Sequence, residues 1–182
     1  MRQRIRAERR ALPAERRAAA DAAILAQIRS LPEFRAARCI ALFFAFDGEP
    51  DLAALIQFGR RKRYFVPVLF GGQMHFAAIT PKTVLRANFY GIPEPAEINL
   101  IDPRALDLVL TPLVAFDDAG TRIGVGAGYY DRCFSFLLQR RHWFKPKLFG
   151  TAYALQRVER IEANPWDVPL YGSITESGVT RF

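Results

Sequence analysis

Cysteine, histidine, methionine and tryptophan each occur only twice in the 182 residues, and that scarcity removes several classes of protein. Cys39 and Cys133 stand far apart in apolar surroundings, with no CxxC or Cys/His spacing, so neither a disulfide framework nor a zinc site is expected and a reducing compartment fits. His75 and His142 have no ligand spacing and are read as structural or surface residues. No stretch reaches the ~18–20 apolar residues that cross a bilayer, and no apolar leader region follows the Arg-rich start. The cytoplasm is therefore the expected compartment, with no membrane partner. Internal repeats and low-complexity linkers are missing, while 51% apolar residues suffice for one core, so residues 1–182 are read as a single domain. A monomer is expected.

Negative charge is also in the minority, with 18 acidic against 26 basic residues. The imbalance is local. Residues 1–38 carry 10 Arg against 4 acids, or +6, and the remaining 16 basic and 14 acidic residues leave +2. This basic N-terminal region reads as helical. Pro13 suits a helix start, and Ile24, Leu25, Ile28 and Leu31 recur at helical spacing, predicting an amphipathic helix to Ser30. The charge run suits a solvated helix face, RNA or membrane phosphates, or a nucleotide.

Beyond it, Cys39 to Phe46 is a continuous apolar run that reads as a strand covered on both faces. Pro50 opens a predicted helix carrying Leu52, Leu55 and Ile56 and ending near Gly59. Tyr64–Leu69 and Met74–Ile79 read as strands of a hairpin turned at Gly71 and Gly72. Gly91–Pro95 (GIPEP) reads as a stiff irregular loop, and Asp107–Phe116 as the strongest strand, with Pro112 near its working end or at an interruption. A helix over Tyr130–Leu138, a strand over Leu148–Tyr153 and a short last strand around Ile174 complete the pattern. Strands alternating with helices predict a three-layer α/β/α fold around a largely parallel central sheet.

The informative segment is Asp117–Arg132, DDAGTRIGVGAGYYDR, between the strong strand and a helix. Gly124, Gly126 and Gly128 permit backbone angles closed to other residues, so successive N–H groups can turn toward an anion at the sheet's carboxyl edge. The segment lacks the GK[ST] of a P-loop and the later acid of a dinucleotide fingerprint. Alone, it equally suits a tight strand-to-helix turn. Its neighbours add chemistry: Arg122 and Arg132 bracket it, Asp131 offers an oxygen ligand for Mg²⁺, and Tyr129 and Tyr130 bring aromatic faces.

GTRIGVGAGYYDR, taken with Arg2 to Arg6, FDGEPD at Phe46–Asp51, PVLFGGQMHF at Pro67–Phe76, GIPEP, TPLVAFD at Thr111–Asp117 and WDVPL at Trp166–Leu170, resembles the 5-formyltetrahydrofolate cyclo-ligase family, in family order along nearly the whole chain. The resemblance implies an ATP- and Mg²⁺-dependent conversion of 5-formyltetrahydrofolate to 5,10-methenyltetrahydrofolate, with ATP and a reduced folate as partners. It implies that Arg122, Ile123, Gly124, Val125, Gly126, Ala127, Gly128, Tyr129 and Tyr130 wrap the ATP phosphates together with Arg2 and Arg6, Arg122 and Tyr129 serving catalysis. By the same carry-over Asp131 holds Mg²⁺, and Phe44, Glu49, Met74 and Phe76 bind the folate.

Plainer roles remain open for several of these. Glu49 could sit beside the first turn of the Pro50 helix, Phe44, Met74 and Phe76 could be core, and Asp131 could be a helix-start residue. Trp166 and Asp167 read as a packing anchor with a turn. The chain departs from the family at Arg2, often Lys, and at Ala127, often Gly or Lys, where an ordinary backbone angle or some strain is expected. Tyr171 stands where many members have an acid. Two other functions fit parts of the pattern: a diverged member acting on another phosphate-containing or coenzyme A-linked substrate, and a basic RNA-binding module. The second lacks the interleaved aromatic and basic pattern of an RNA-recognition sheet, so no nucleic-acid partner is expected.

Overall fold

Alanine and arginine dominate the first 38 residues, and these are strong helix formers. In the computed structural model, which describes residues 1–139 and 144–182, they form α1 (Arg2–Arg10), α2 (Ala14–Ser30) and α3 (Pro32–Ala36). The expected helix thus begins after Pro13. Helix α1 buries Ile5 and Arg9, and α2 buries Ile24 and Ile28. His142 lies outside the described residues.

The strands, in chain order, are β1 (Cys39–Ala41), β2 (Arg63–Phe70), β3 (Gln73–Ile79), β4 (Leu85–Ala87), β5 (Pro93–Pro95), β6 (Leu100–Ile101), β7 (Leu108–Pro112), β8 (Ala115–Phe116), β9 (Arg122–Ile123), β10 (Lys147–Thr151), β11 (Gly172–Thr175) and β12 (Gly178–Arg181); a short helix, α4, spans Tyr129–Cys133. Eight strands make one sheet in the order β12-β11-β10-β7-β1-β2-β3-β6. Its middle, from β11 to β2, is parallel, and the pairs at its edges are antiparallel.

Alternation along the central strands splits the core between the two faces. Ile40, Leu108, Leu110 and Val66 pack with Ile24, Ile28, Phe34, Leu52 and Leu55 on one side. Ala41, Val109, Phe65 and Leu148 pack with Phe134 and Leu137 on the other. Helical segments therefore cover both faces, as an α/β/α arrangement requires.

Several boundaries differ from expectation for identifiable reasons. The apolar run from Cys39 pairs only to Ala41. The Leu42 amide still donates to the Phe65 carbonyl at 2.9 Å, and the chain then leaves the sheet, Leu42 and Phe43 buried, to turn at Asp47 and Gly48, whose φ angles are +52° and +78°. The run was apolar because it is buried, not because it is all strand.

The expected helices at Pro50 and Tyr130–Leu138 are replaced by a 3₁₀ helix over Ala53–Gln57 and by α4 followed by a 3₁₀ helix over Ser135–Gln139. In each the buried anchors, Leu52 with Leu55 and Phe134 with Leu137, are three residues apart, the repeat of a 3₁₀ turn. GIPEP is not an irregular loop throughout. Its Pro93–Pro95 pairs with β4 in a two-stranded ribbon whose open edge tolerates proline. The strong strand breaks after Pro112, as anticipated, into β7 and β8. The antiparallel β12 was missed.

Candidate active site

The carboxyl ends of β1 and β7 open into a cleft of about 1520 Å³. This is where a parallel sheet delivers loops and leaves room for a ligand. The cleft is lined by residues from both directions along the chain, including Arg2, Arg6, Phe44, Glu49, Met74, Tyr90, the whole of Arg122–Arg132, Trp166 and Asp167.

The glycine loop is carried by a small, well-anchored unit. Asp117 is buried; its Oδ1 accepts from the amides of Ala119 and Thr121 at 3.1 and 2.9 Å, and its Oδ2 from Ile161 at 2.9 Å. Gly120, at φ +79°, completes the turn, and a Cβ there would come within 3.0 Å of the Leu170 carbonyl oxygen. The turn folds β9 back on β8 and aims the chain into the cleft. Beyond Ile123 the loop is bare: Cβ atoms built on Gly124 and Gly126 meet nothing within 4 Å, and Val125 is exposed. Gly126 (φ +114°) and Gly128 (φ +63°) use angles that only glycine adopts readily, whereas Ala127 has an ordinary negative φ, the unstrained outcome expected for it.

Three arginines hold this loop from different sides. Arg2 Nε donates to the Gly124 carbonyl at 3.0 Å. Arg132 Nη1 donates to the Ala127 carbonyl at 2.8 Å, with its guanidinium 5.1 Å from the Tyr129 ring centroid. Arg122 is nearly buried and pairs with Asp131 Oδ1 at 2.6 Å while donating to the Val168 carbonyl. Burial pulls its pKa below the usual value, and the Asp131 carboxylate opposes this. The Val168 amide also donates to Asp131 Oδ1, at 3.1 Å, leaving Oδ2 without a hydrogen bond among the described residues. Tyr130 has a covered hydroxyl with no hydrogen-bond partner among the described residues; burial first, then the nearby Glu49 charge, raise its pKa.

The opposite part of the cleft is built on the turn after β1. Asp47 accepts from Arg6 Nε at 2.6 Å, Arg9 Nη2 at 3.1 Å and Arg10 Nη1 at 2.9 Å. Arg17 Nη1 donates to the Gly48 carbonyl at 2.8 Å. Glu49, largely buried, accepts from the Phe46 amide at 3.2 Å and lies 3.9 Å from Arg9 Nη1. Burial pushes its carboxyl up to about 7 against the pull of Arg9 and the Phe46 amide.

Of the residues singled out from the sequence, Arg2, Arg6, Phe44, Glu49, Met74 and all of Arg122–Asp131 line this one cleft. Phe76 does not. Two positions beyond Met74 on β3, it is fully buried one step deeper, its ring 6.5 Å from that of Tyr130 and 5.6 Å from Phe134. Trp166 is no packing anchor: it is 65% exposed and faces the cleft, although the expected turn exists, with the Asn164 amide donating to Asp167 Oδ2 at 2.8 Å. Tyr171 stays outside the cleft, accepting from Lys147 Nζ at 3.0 Å and packing edge-on against Phe149. His75 stacks on Phe70 at 4.1 Å, a structural contact. Both cysteines are free thiols. Sequence reasoning missed Arg9 and Asp47. Arg9 lies four residues after Ile5, on the helix face that Ile5 buries, and that spacing was the available signal.

A glycine loop and arginines at the carboxyl edge of an open α/β sheet, facing a buried carboxylate and aromatic side chains, form an enzyme cleft with the chemistry to take an anionic group beside a partly apolar one. The sequence profile described as "5-formyltetrahydrofolate cyclo-ligase family" matches residues 1–176, and the chain belongs to that family of ligases. The curated 5-formyltetrahydrofolate cyclo-ligase of Haemophilus influenzae is 37% identical over 161 residues, covering 84% of this chain and 83% of that one. Its counterpart from Escherichia coli K12 is 35% identical over 182 residues, covering 96% and 98%. The NMR structure of the Aquifex aeolicus 5,10-methenyltetrahydrofolate synthetase superposes with a TM-score of 0.84 at 30% identity, covering 99% of this chain and 90% of that one. The Mycoplasma pneumoniae synthetase gives 0.75 at 26% identity, covering 96% of each chain.

Proposed function

We propose that this chain closes 5-formyltetrahydrofolate to 5,10-methenyltetrahydrofolate at the expense of ATP, acting in the cytoplasm as a single domain. The observation that carries the reading is the meeting of the bare glycine loop, Arg2 and Arg122 with Glu49, Phe44 and Met74 in one cleft. A formamide oxygen is a poor leaving group. Transfer of the γ-phosphoryl group onto it forms an O–P bond and releases ADP; the folate N10 then attacks the activated carbon, the C–O bond breaks, and phosphate leaves. The protein's work is alignment and charge neutralisation.

In this reading the free N–H groups of Gly124–Tyr130 and the cations of Arg2, Arg6 and Arg122 receive the triphosphate. Arg122, held flat by Asp131 and Val168, and Tyr129 face the transferring group. Glu49 orients the pterin ring, Phe44 and Met74 supply apolar contact, and Phe76 supports the site from behind Tyr130. Among the described residues no three acidic, histidine or cysteine side chains gather at one point, so the donor set suits an Mg²⁺ brought by the nucleotide rather than a ready-made metal site. Asp131 Oδ2 would supply the protein ligand, with phosphate oxygens and waters completing about six positions. The ion would neutralise charge on the transferring phosphoryl group.

The RNA-binding alternative loses support because much of the positive charge of α1 is paired internally: Arg4 with Glu8, Arg9 and Arg10 with Asp47, and Arg6 with Asp47 through its Nε. The test is to mix purified protein, 5-formyltetrahydrofolate, ATP and Mg²⁺ and follow the near-ultraviolet absorbance of the methenyl product. Growth of that band only with ATP present is the expected result; its absence with active, folded protein overturns the proposal.

A further inference from the structure

Arg9 is fully buried on α1, on the face whose other buried residue, Ile5, packs in an apolar cluster with Val114 and Ala115. An aliphatic residue would suit such surroundings better than a guanidinium, unless the fork is needed. The fork is used on two segments that both reach the cleft. Nε donates to the Asp47 carbonyl at 3.1 Å, Nη2 to Asp47 Oδ2 at 3.1 Å, and Nη1 to the Leu113 carbonyl, just past β7, at 3.1 Å. The same Nη1 stands 3.9 Å from Glu49 Oε1. One side chain of the helix that also carries Arg2 and Arg6 thus spans the turn after β1 and the break after β7.

We propose that Arg9 is a positioning residue for the folate half of the reaction: it locks the Asp47 turn that carries Glu49 and supplies the buried positive charge that Glu49 faces. The proposal rests on the reading that Glu49 contacts the folate. The groups facing Glu49 are Arg9 and Arg6 from α1, Asp47 and the Phe46 amide from its own turn, and Tyr130 from α4. Of these, Arg9 stands first in favouring the ionised carboxylate, against the burial that favours the neutral acid. A carboxyl titrating near 7 is ionised above that pH, so folate use dependent on the anion falls as pH drops through the neutral range. Without Arg9 the fall moves to higher pH.

The experiment measures Michaelis constants for both substrates, and the pH dependence of kcat/KM for the folate, in Arg9→Met, Arg9→Lys, Glu49→Gln and Arg9→Met/Glu49→Gln. Arg9→Met should raise the folate KM by about tenfold, the loss of one charge-assisted interaction, while leaving the ATP KM within about twofold. Its acidic limb should shift upward by about one pH unit. Arg9→Lys, which keeps the charge and loses the fork, should leave the limb near its original place with a smaller rise in folate KM. In the double variant the losses should be less than additive. Equal losses for ATP and folate with an unmoved limb would make Arg9 structural only and overturn the proposal. If Arg9→Met does not fold, the Arg9→Lys comparison decides alone, and equal rises in both constants overturn it. Unchanged folate affinity in Glu49→Gln would instead sink the assignment of Glu49, whatever Arg9 does.

Discussion

Two loops face each other across the cleft, and they are built on opposite principles. The turn at Phe46–Glu49 is clamped, with Arg6, Arg9, Arg10 and Arg17 donating to it, before any ligand arrives. The loop at Gly124–Gly128 is open. Its glycines meet little, its amides donate no hydrogen bond among the described residues, and the side chains of Arg2 and Arg132 hold two of its carbonyls. Burial of a carboxylate such as Glu49 demands prior organisation, because a charge in a mobile apolar pocket would simply neutralise. A triphosphate carries its own charge and can organise the backbone that receives it. On the proposed function, the clamped half reads shape and the open half is completed by its ligand.

The largest effect should come from breaking the anchor of the open loop. Arg122→Met leaves Asp131 facing Val168 without its cation and removes the charge proposed to face phosphate; kcat/KM should fall by about 10²–10³, the usual loss for one preorganised electrostatic donor, in steady-state kinetics. Asp131→Asn tests the metal half of the same pair. Turnover should fall strongly, and calorimetric titration of Mg²⁺ should give binding to the original protein only when a non-hydrolysable ATP analogue is present. Tight binding of Mg²⁺ without nucleotide would mean that a second acid lining the cleft, such as Asp167, helps to hold it.

Asp47→Ala attacks the clamp and should appear as stability. Removing the shared partner of a buried arginine costs about 3–5 kcal/mol, a fall of roughly 6–20 °C in the unfolding midpoint of a chain this size. The pH dependence has a definite sign. Burial pushes the Asp47 carboxyl up, but hydrogen bonds from Arg6 and Arg10 prevail and hold it below the usual carboxylate range. The clamp's contribution is therefore full above the ordinary aspartate pKa and is lost as pH falls through the depressed one, so its loss belongs to the acid limb of a denaturation series. An Asp47→Ala variant with an unchanged midpoint would show the clamp to be idle.

The smallest effect is expected at Gly126→Ala. The new methyl group meets nothing, so its cost is the strain of a φ of +114°, about 1–2 kcal/mol. It should raise the ATP KM several-fold and leave folate binding alone.

These contrasts explain what could be read from the chain before its fold was known. The glycine loop was legible because open backbone needs glycine at Gly126 and Gly128 whatever surrounds it. Sheet order could be anticipated only as far as alternation of strands and helices implies parallel pairing; β12, a short polar-faced hairpin strand, carries no such signal. Arg9 was lost among ten N-terminal arginines because charge composition does not record which side of a helix is buried. Trp166 looked like a packing anchor because tryptophan is usually well buried, and the 164–167 turn instead places it in the lining of the cleft. Phe76 and Met74 share one strand face, so their division into core and cleft depends on where the sheet ends.

Equilibrium binding of 5-formyltetrahydrofolate and of a non-hydrolysable ATP analogue to Glu49→Gln and Gly126→Ala tests the division between the two loops most directly. The account predicts a crossed pattern: Glu49→Gln weakens the folate and spares the nucleotide, and Gly126→Ala weakens the nucleotide and spares the folate. Parallel weakening of both ligands in both variants would contradict it.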